Sequence, residues 1–151
     1  MNVLFLQKDD VDLYQVLIAS ETSRDALRFY HPRQAHGGIS IAMASLGSAL
    51  SLVSDLRWYV KRYMRAVLFE VSEGIYCSHP LAKEVYYDRS VILSGPWKYR
   101  FRYIIRDHIS VDMERLLPGE RCNIPVSDNE VVLEVWCTSE EVPDGPGQKI
   151  K

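Results

Sequence analysis

From Gly95 to Arg106, GPWKYRFRYIIR, the chain alternates: Trp97, Tyr99, Phe101, Tyr103 and Ile105 fall on odd positions, and Lys98, Arg100, Arg102 and Arg106 on even ones. Successive side chains of an extended backbone point to opposite faces, so the spacing predicts a strand with an aromatic face and a basic face. The rings bring large apolar areas that a small domain must bury, which places them in the core. Tyr99, Phe101 and Tyr103 are therefore expected to be much more buried than Lys98, Arg100 and Arg102.

The same reasoning divides the rest of the chain. The segment VDLYQVLIAS, Val11 to Ser20, ends in an apolar, β-branched run and predicts a strand. Ser20 or Thr22 is placed to cap a short helix through Tyr30, which the His31-Pro32 step should stop. RQAHGG reads as a loop and ISIAMA as a short buried strand. From Ser45 the period becomes helical, with Leu46, Ala49, Leu50 and Val53 on one stripe and Ser45 as N-cap. The end of this helix is open between Asp55 and Arg65, because LRWYVKRYMR reads equally as a last helical turn, a loop, or the start of the strand completed by Ala66 to Val71. If helical, Arg57, Lys61 and Arg65 form a solvated basic stripe. VYYDRSVIL and WKYRFRYII flank Ser94-Gly95-Pro96 as a hairpin or a pair of neighbouring strands. Ser110 is placed to cap a short helix through DMERLL, VSDNE to form a turn, and Val131 to Trp136 the last strand.

The expected fold is α+β: one domain over residues 1–141, with a mostly antiparallel or split sheet, one clearly marked helix and two short ones. Residues 142–151, with their Pro-Asp-Gly-Pro-Gly punctuation, are expected to form a disordered tail. The length of 151 residues, 47% of them hydrophobic, is enough to bury a core in one domain. Lys and Arg total 18 against 20 acidic residues, so any basic footprint must be local. No apolar run approaches the roughly 18 residues that span a bilayer, and the start MNVLFLQKDD lacks a signal-peptide pattern. A cytoplasmic protein with no membrane contact is expected.

Cys77, Cys122 and Cys137 are odd in number and widely spaced, which predicts reduced thiols rather than a disulfide framework. Cys77 and His79 in YCSHP lack a second ligand pair, so no metal is expected. A nucleophilic Cys77 would need a lowered thiol pKa. Neither G-x-G-x-x-G nor a G-K-[ST] loop is present. His36, beside Gly37-Gly38, is placed where a loop could expose a functional side chain on a rigid support.

GGISIAMASLGSALSLV followed by RAVLFEV resembles the middle of small ADP-ribosyltransferase-like domains, with LYQVLIAS standing for the first strand and DNEVVLEV for a late acidic strand. The resemblance implies a nucleotide-handling protein that uses NAD, with the catalytic acid at Glu130, or as second choice Glu134. Ser40 or Ser45 would stand for the polar residue of the second motif. Gln15 stands where such enzymes hold NAD with Arg or His, a departure that implies a divergent or inactive domain. On this reading NAD lies in a cleft between the His36-Gly37-Gly38 loop and Glu130, with His36 as a second catalytic candidate and Arg100 and Arg102 on the phosphates. The alternative is a non-enzymatic binding or inhibitor protein whose Lys98, Arg100 and Arg102 meet nucleic acid or an acidic protein. The plainest reading is an edge strand whose charges discourage aggregation.

Overall fold

The computed structural model describes residues 1–35, 37–88, 93, 97–106, 110–117, 119–122 and 130–141. In chain order the elements are β1 (Asn2–Gln7), α1 (Leu13–Ala19), α2 (Glu21–Leu27), β2 (Arg33–Ala35), β3 (Gly38–Ala42), α3 (Leu46–Asp55), α4 (Arg57–Tyr63), β4 (Met64–Ser72), β5 (Ile75–Ser78), α5 (His79–Lys83), a π-helical turn (Glu84–Asp88), β6 (Arg100–Arg106), β7 (Ser110–Leu116), β8 (Glu130–Trp136) and a 3₁₀ turn (Ser139–Glu141). This is an α+β fold. Among the described residues eight strands form one sheet in the order β2-β3-β1-β4-β5-β8-β6-β7. Every pairing is antiparallel except β5 with β8.

Alternation assigns the two faces of the sheet. Val3 and Phe5 of β1, Ile39 and Ile41 of β3, and Val67 and Phe69 of β4 pack with Ala49, Leu50 and Val53 of α3 in one core. Leu4, Leu6 and Leu68 point the other way and share a second core with Phe101, Tyr103, Ile105, Leu133 and Val135. β1 and β6 are four strands apart, which would separate them by about 19 Å in a flat sheet. Yet a Cβ placed on Gly37 would lie 3.1 Å from Ile105 Cγ2 and 3.5 Å from Leu6 Cδ2. The sheet therefore curls until its inner face closes on itself, while helices pack on β3, β4 and β5 outside.

Local chemistry explains the helix starts. Ser45 accepts from the Ser48 backbone N–H, and the Ser48 hydroxyl accepts from the Ser45 N–H, a reciprocal capping box for α3. Ser20 occupies the N-cap position of α2, but its hydroxyl bonds the Tyr59 hydroxyl rather than a backbone N–H of the helix. LRWYVKRYMR resolves into α4 and the first residues of β4.

Three expectations are corrected. Val11 to Ser20 contains α1 rather than a strand: Asp12 accepts from the Gln15 N–H as N-cap, and Leu13 and Leu17, four apart, bury one helical stripe. DMERLL is not a helix, since Asp112 to Leu116 belong to β7, paired with β6 along its length. Val85 to Asp88, read as strand, form most of the π-helical turn. With α4 and α5 in addition, the α-helices number five among the described residues, not three. The rest of VYYDRSVIL up to residue 92, most of VSDNE, and the tail 142–151 lie outside the described residues. No described helix is long and apolar enough to cross a membrane.

Candidate functional site

β6 lies between β8 and β7, so it is not an edge strand. Its outer face lines Arg100, Arg102, Ile104 and Arg106 against Trp136, Glu134, Val132 and Glu130 on one side and Leu116, Glu114 and Asp112 on the other. Every arginine is matched. Arg100 bonds Glu134 at 3.0 Å and donates to the carbonyls of Leu117, at 3.1 Å, and Glu120. Arg102 pairs with Glu114 at 3.1 Å and Glu120 at 3.3 Å. Arg106 pairs with Glu130 at 3.2 Å and with Asp112.

Burial consequently does not separate the two faces as expected from sequence. Phe101 is 2% exposed and Tyr103 6%, but Arg100 is only 7% exposed. Lys98 remains exposed, with Nζ 5.5 Å from the Tyr99 ring centroid. What distinguishes the faces is charge compensation, because a buried guanidinium persists only when carboxylates and carbonyls satisfy it. Burial opposes the charge on Arg102, but its bonds to Glu114 and its neighbours outweigh that and hold its pKa above the ordinary value.

Beside this ladder is an open pocket of about 540 Å³, between the Glu73–Gly74 turn and the Gly119–Cys122 segment. Trp97 and Trp136 line it and stack on each other, ring centroids 5.7 Å apart and planes 8° from parallel. Each indole is fixed by its N–H: Trp97 donates to the Cys137 carbonyl at 2.9 Å, and Trp136 to Glu134 Oε2 at 2.6 Å. Glu134 is thus held from two directions, by Arg100 and by Trp136. Arg100 Nε is buried without a hydrogen-bond partner among the described residues. Chemically, the pocket offers aromatic surface, an oriented carboxylate acceptor and an acidic rim from Glu73 and Glu120, with exposed Arg121 as its cation toward solvent.

The residues singled out from sequence are scattered. Gln15 is exposed on the first turn of α1, not on a strand. Ser40 sits in β3, opposite Leu4 of β1 and Arg33 of β2. Ser45 caps α3. Glu130 begins β8 on the charged outer face, paired with Arg106. Gly37 packs on Ile105, which points to the inner face, so β6 stands between Glu130 and the glycine turn. His36 lies outside the described residues. Gly37 has φ +76°, and a Cβ on Gly38 would fall 1.7 Å from the Phe5 carbonyl oxygen, so the double glycine makes the β2–β3 turn and the close approach to β1. Trp136 could have been found from sequence, since EVVLEVW puts it on the Glu134 face. Trp97 precedes β6 and packs, half-buried, against the helix-side core that includes Trp136, so its expected place in a core holds, but in the other core from Phe101 and Tyr103.

The thiols are not activated. Burial, then the charge of Glu141, pushes the Cys77 pKa up to about 12, and burial likewise raises Cys137. Cys122 is raised by burial, with Arg102 pulling in the other direction. Among the described residues, no group of three or more His, Cys, Asp or Glu side chains is placed to hold a metal ion.

The fold and pocket together define a small α+β protein with a curled, mostly antiparallel sheet, helices on its outer face and a paired-indole pocket beside an arginine–glutamate ladder. The chain belongs to a family described as a family of unknown function (DUF5804), whose model matches residues 1–93. That match spans β1 to β5 and all five helices, whereas the pocket's two tryptophans lie beyond it. No curated protein and no solved structure matches the chain.

Proposed function

We propose that this protein is a non-enzymatic binding module for a planar, nitrogen-bearing ligand of the nucleobase class, taken up by the Trp97–Trp136 pocket. The observation that carries the reading is the rigid indole pair beside Glu134, whose carboxylate is already oriented by Arg100 and Trp136. Base-on-aromatic stacking is worth about 1–3 kcal/mol, and a carboxylate accepts from an exocyclic amino group. Arg100, the cation in the depth of the pocket, is already matched by Glu134, and Glu120 is matched by Arg102, so a phosphate held deep in the pocket meets no unpaired cation among the described residues there and is repelled by Glu73 at the rim. The base would therefore enter first, with any phosphates directed to solvent near Arg121. NAD, the ligand implied by the resemblance to ADP-ribosyltransferase-like domains, is the narrowest form of this proposal, its adenine occupying the indole site.

Calorimetry with adenosine, AMP, ADP-ribose and NAD, followed in parallel by tryptophan fluorescence, tests it. Adenosine is expected to bind at least as tightly as AMP and to quench the fluorescence. Trp97→Ala, at a half-buried position, should weaken binding roughly 5- to 150-fold while leaving the fold intact. Absence of binding by all four ligands, or full affinity in the Trp97→Ala protein, would remove the pocket from consideration.

A further inference from the structure

A second cavity shares no residue with the indole pocket. α3, α4, α5 and the π-helical turn enclose about 240 Å³. Its floor is aliphatic, made by Leu50, Val53 and Val60, and its rim carries Arg57, His79 and Lys83, with no carboxylate among the described residues of the lining. Arg57 Nη1 donates to the Ser54 carbonyl at 3.2 Å, which ties the guanidinium to the end of α3. Among the described residues neither Arg57 nor Lys83 forms an ion pair, whereas Arg100, Arg102 and Arg106 are each matched by carboxylates. His79 is half-buried, with its ring 5.7 Å from that of Phe69. Burial, then the charge of Lys83, holds its pKa below the ordinary 6.5, so the Lys83 field reaches the imidazole.

We propose that this cavity binds a small carboxylate with an apolar body, of the short-chain fatty acid or benzoate class. The carboxylate meets Lys83 and Arg57 at the rim, and the hydrocarbon lies on Leu50, Val53 and Val60. The two halves act together: the aliphatic floor gains from removing hydrocarbon from water, and the cations supply charge-assisted bonds at the end that stays wet. Inorganic phosphate satisfies only the second half, because a strongly hydrated ion gains nothing from an aliphatic floor.

The test is an NMR titration of the full chain with hexanoate, benzoate and inorganic phosphate at constant ionic strength, read at the His79 ring protons. Both carboxylates should give saturable His79 shifts at millimolar concentration, phosphate binding at least about tenfold more weakly. A bound anion offsets the Lys83 field, so the His79 pKa should rise in hexanoate. Lys83→Gln, at an exposed position, should lower hexanoate affinity about tenfold, the loss expected for one charge-assisted bond, without changing the fold. No saturable shift by either carboxylate, equal binding of phosphate, or unchanged affinity in Lys83→Gln would each overturn the proposal. Nucleoside binding at the tryptophans is a separate readout, so either site can fail alone.

Discussion

Replacing Arg100 by Ala would leave the largely buried Glu134 carboxylate without its guanidinium, held among the described residues by the Trp136 N–H alone, and would release the carbonyls of Leu117 and Glu120. Removing one partner of a buried pair costs about 3–5 kcal/mol, since the remaining charge stays desolvated. Arg106, far more exposed, should lose no more than about 1 kcal/mol in Arg106→Ala. Urea unfolding of the two variants checks the contrast; equal losses would mean that the ladder is not graded by burial. The thiols give a pH dependence whose sign follows from their protonation. Cys77 ordinarily titrates near 9.0 and is pushed to about 12 in the fold, so between those values the unfolded chain has lost a proton that the folded one keeps. The stabilising contribution is full below pH 9 and is lost as pH rises toward 12. Cys137 adds in the same direction. Thermal melts at rising pH should show this decline starting above pH 9, and a Cys77→Ala variant should show less of it.

Among the elements, α3 and β6 were legible because their periods are unambiguous. The β6 alternation was read correctly, but the consequence for Arg100 depended on register: Glu134 comes 34 residues later and reaches Arg100 only because β8 pairs with β6. The partners on β7 were hidden differently. Met, Glu, Arg and Leu favour helices in isolation, and cross-strand pairing with β6 overrode that preference in DMERLL. In α1 the apolar run Val16 to Ile18, with β-branched Val16 and Ile18, masked the Leu13–Leu17 spacing and the Asp12 cap. The candidate site was less legible still, because the indole pocket draws on four separate segments that the pairing of β5 with β8 and of β8 with β6 brings together. A prediction specific to α3 follows from its cap: Ser45→Ala should cost about 1 kcal/mol in chemical denaturation, since it leaves the Ser48 N–H without its acceptor.

Across the whole molecule, the curl brings Ile105 of β6 against Gly37, next to the close approach of β3 to β1 at Gly38. A Cβ on Gly38 would meet Phe5 backbone only 1.7 Å away, and backbone cannot move aside as a flexible side chain can. Gly38→Ala should therefore destabilise by more than about 3 kcal/mol, whereas Gly74→Ala, with open space around it and only φ +78° to oppose it, should cost about 1–2 kcal/mol. The curl also sets the two faces of β6, burying Phe101, Tyr103 and Ile105 inside and leaving the arginine ladder and the indole pair outside. On the proposed function, the β6 guanidinium groups serve the fold and recognition belongs to the tryptophans beside them. Chemical-shift mapping with adenosine tests this most directly. Shifts are expected at the Trp97 and Trp136 indole N–H groups and at the amides of Gly74 and Glu120 to Cys122, with the Gly37, Gly38 and Glu130 amides unmoved; shifts confined to Gly37, Gly38 and Glu130 would rule the tryptophan site out.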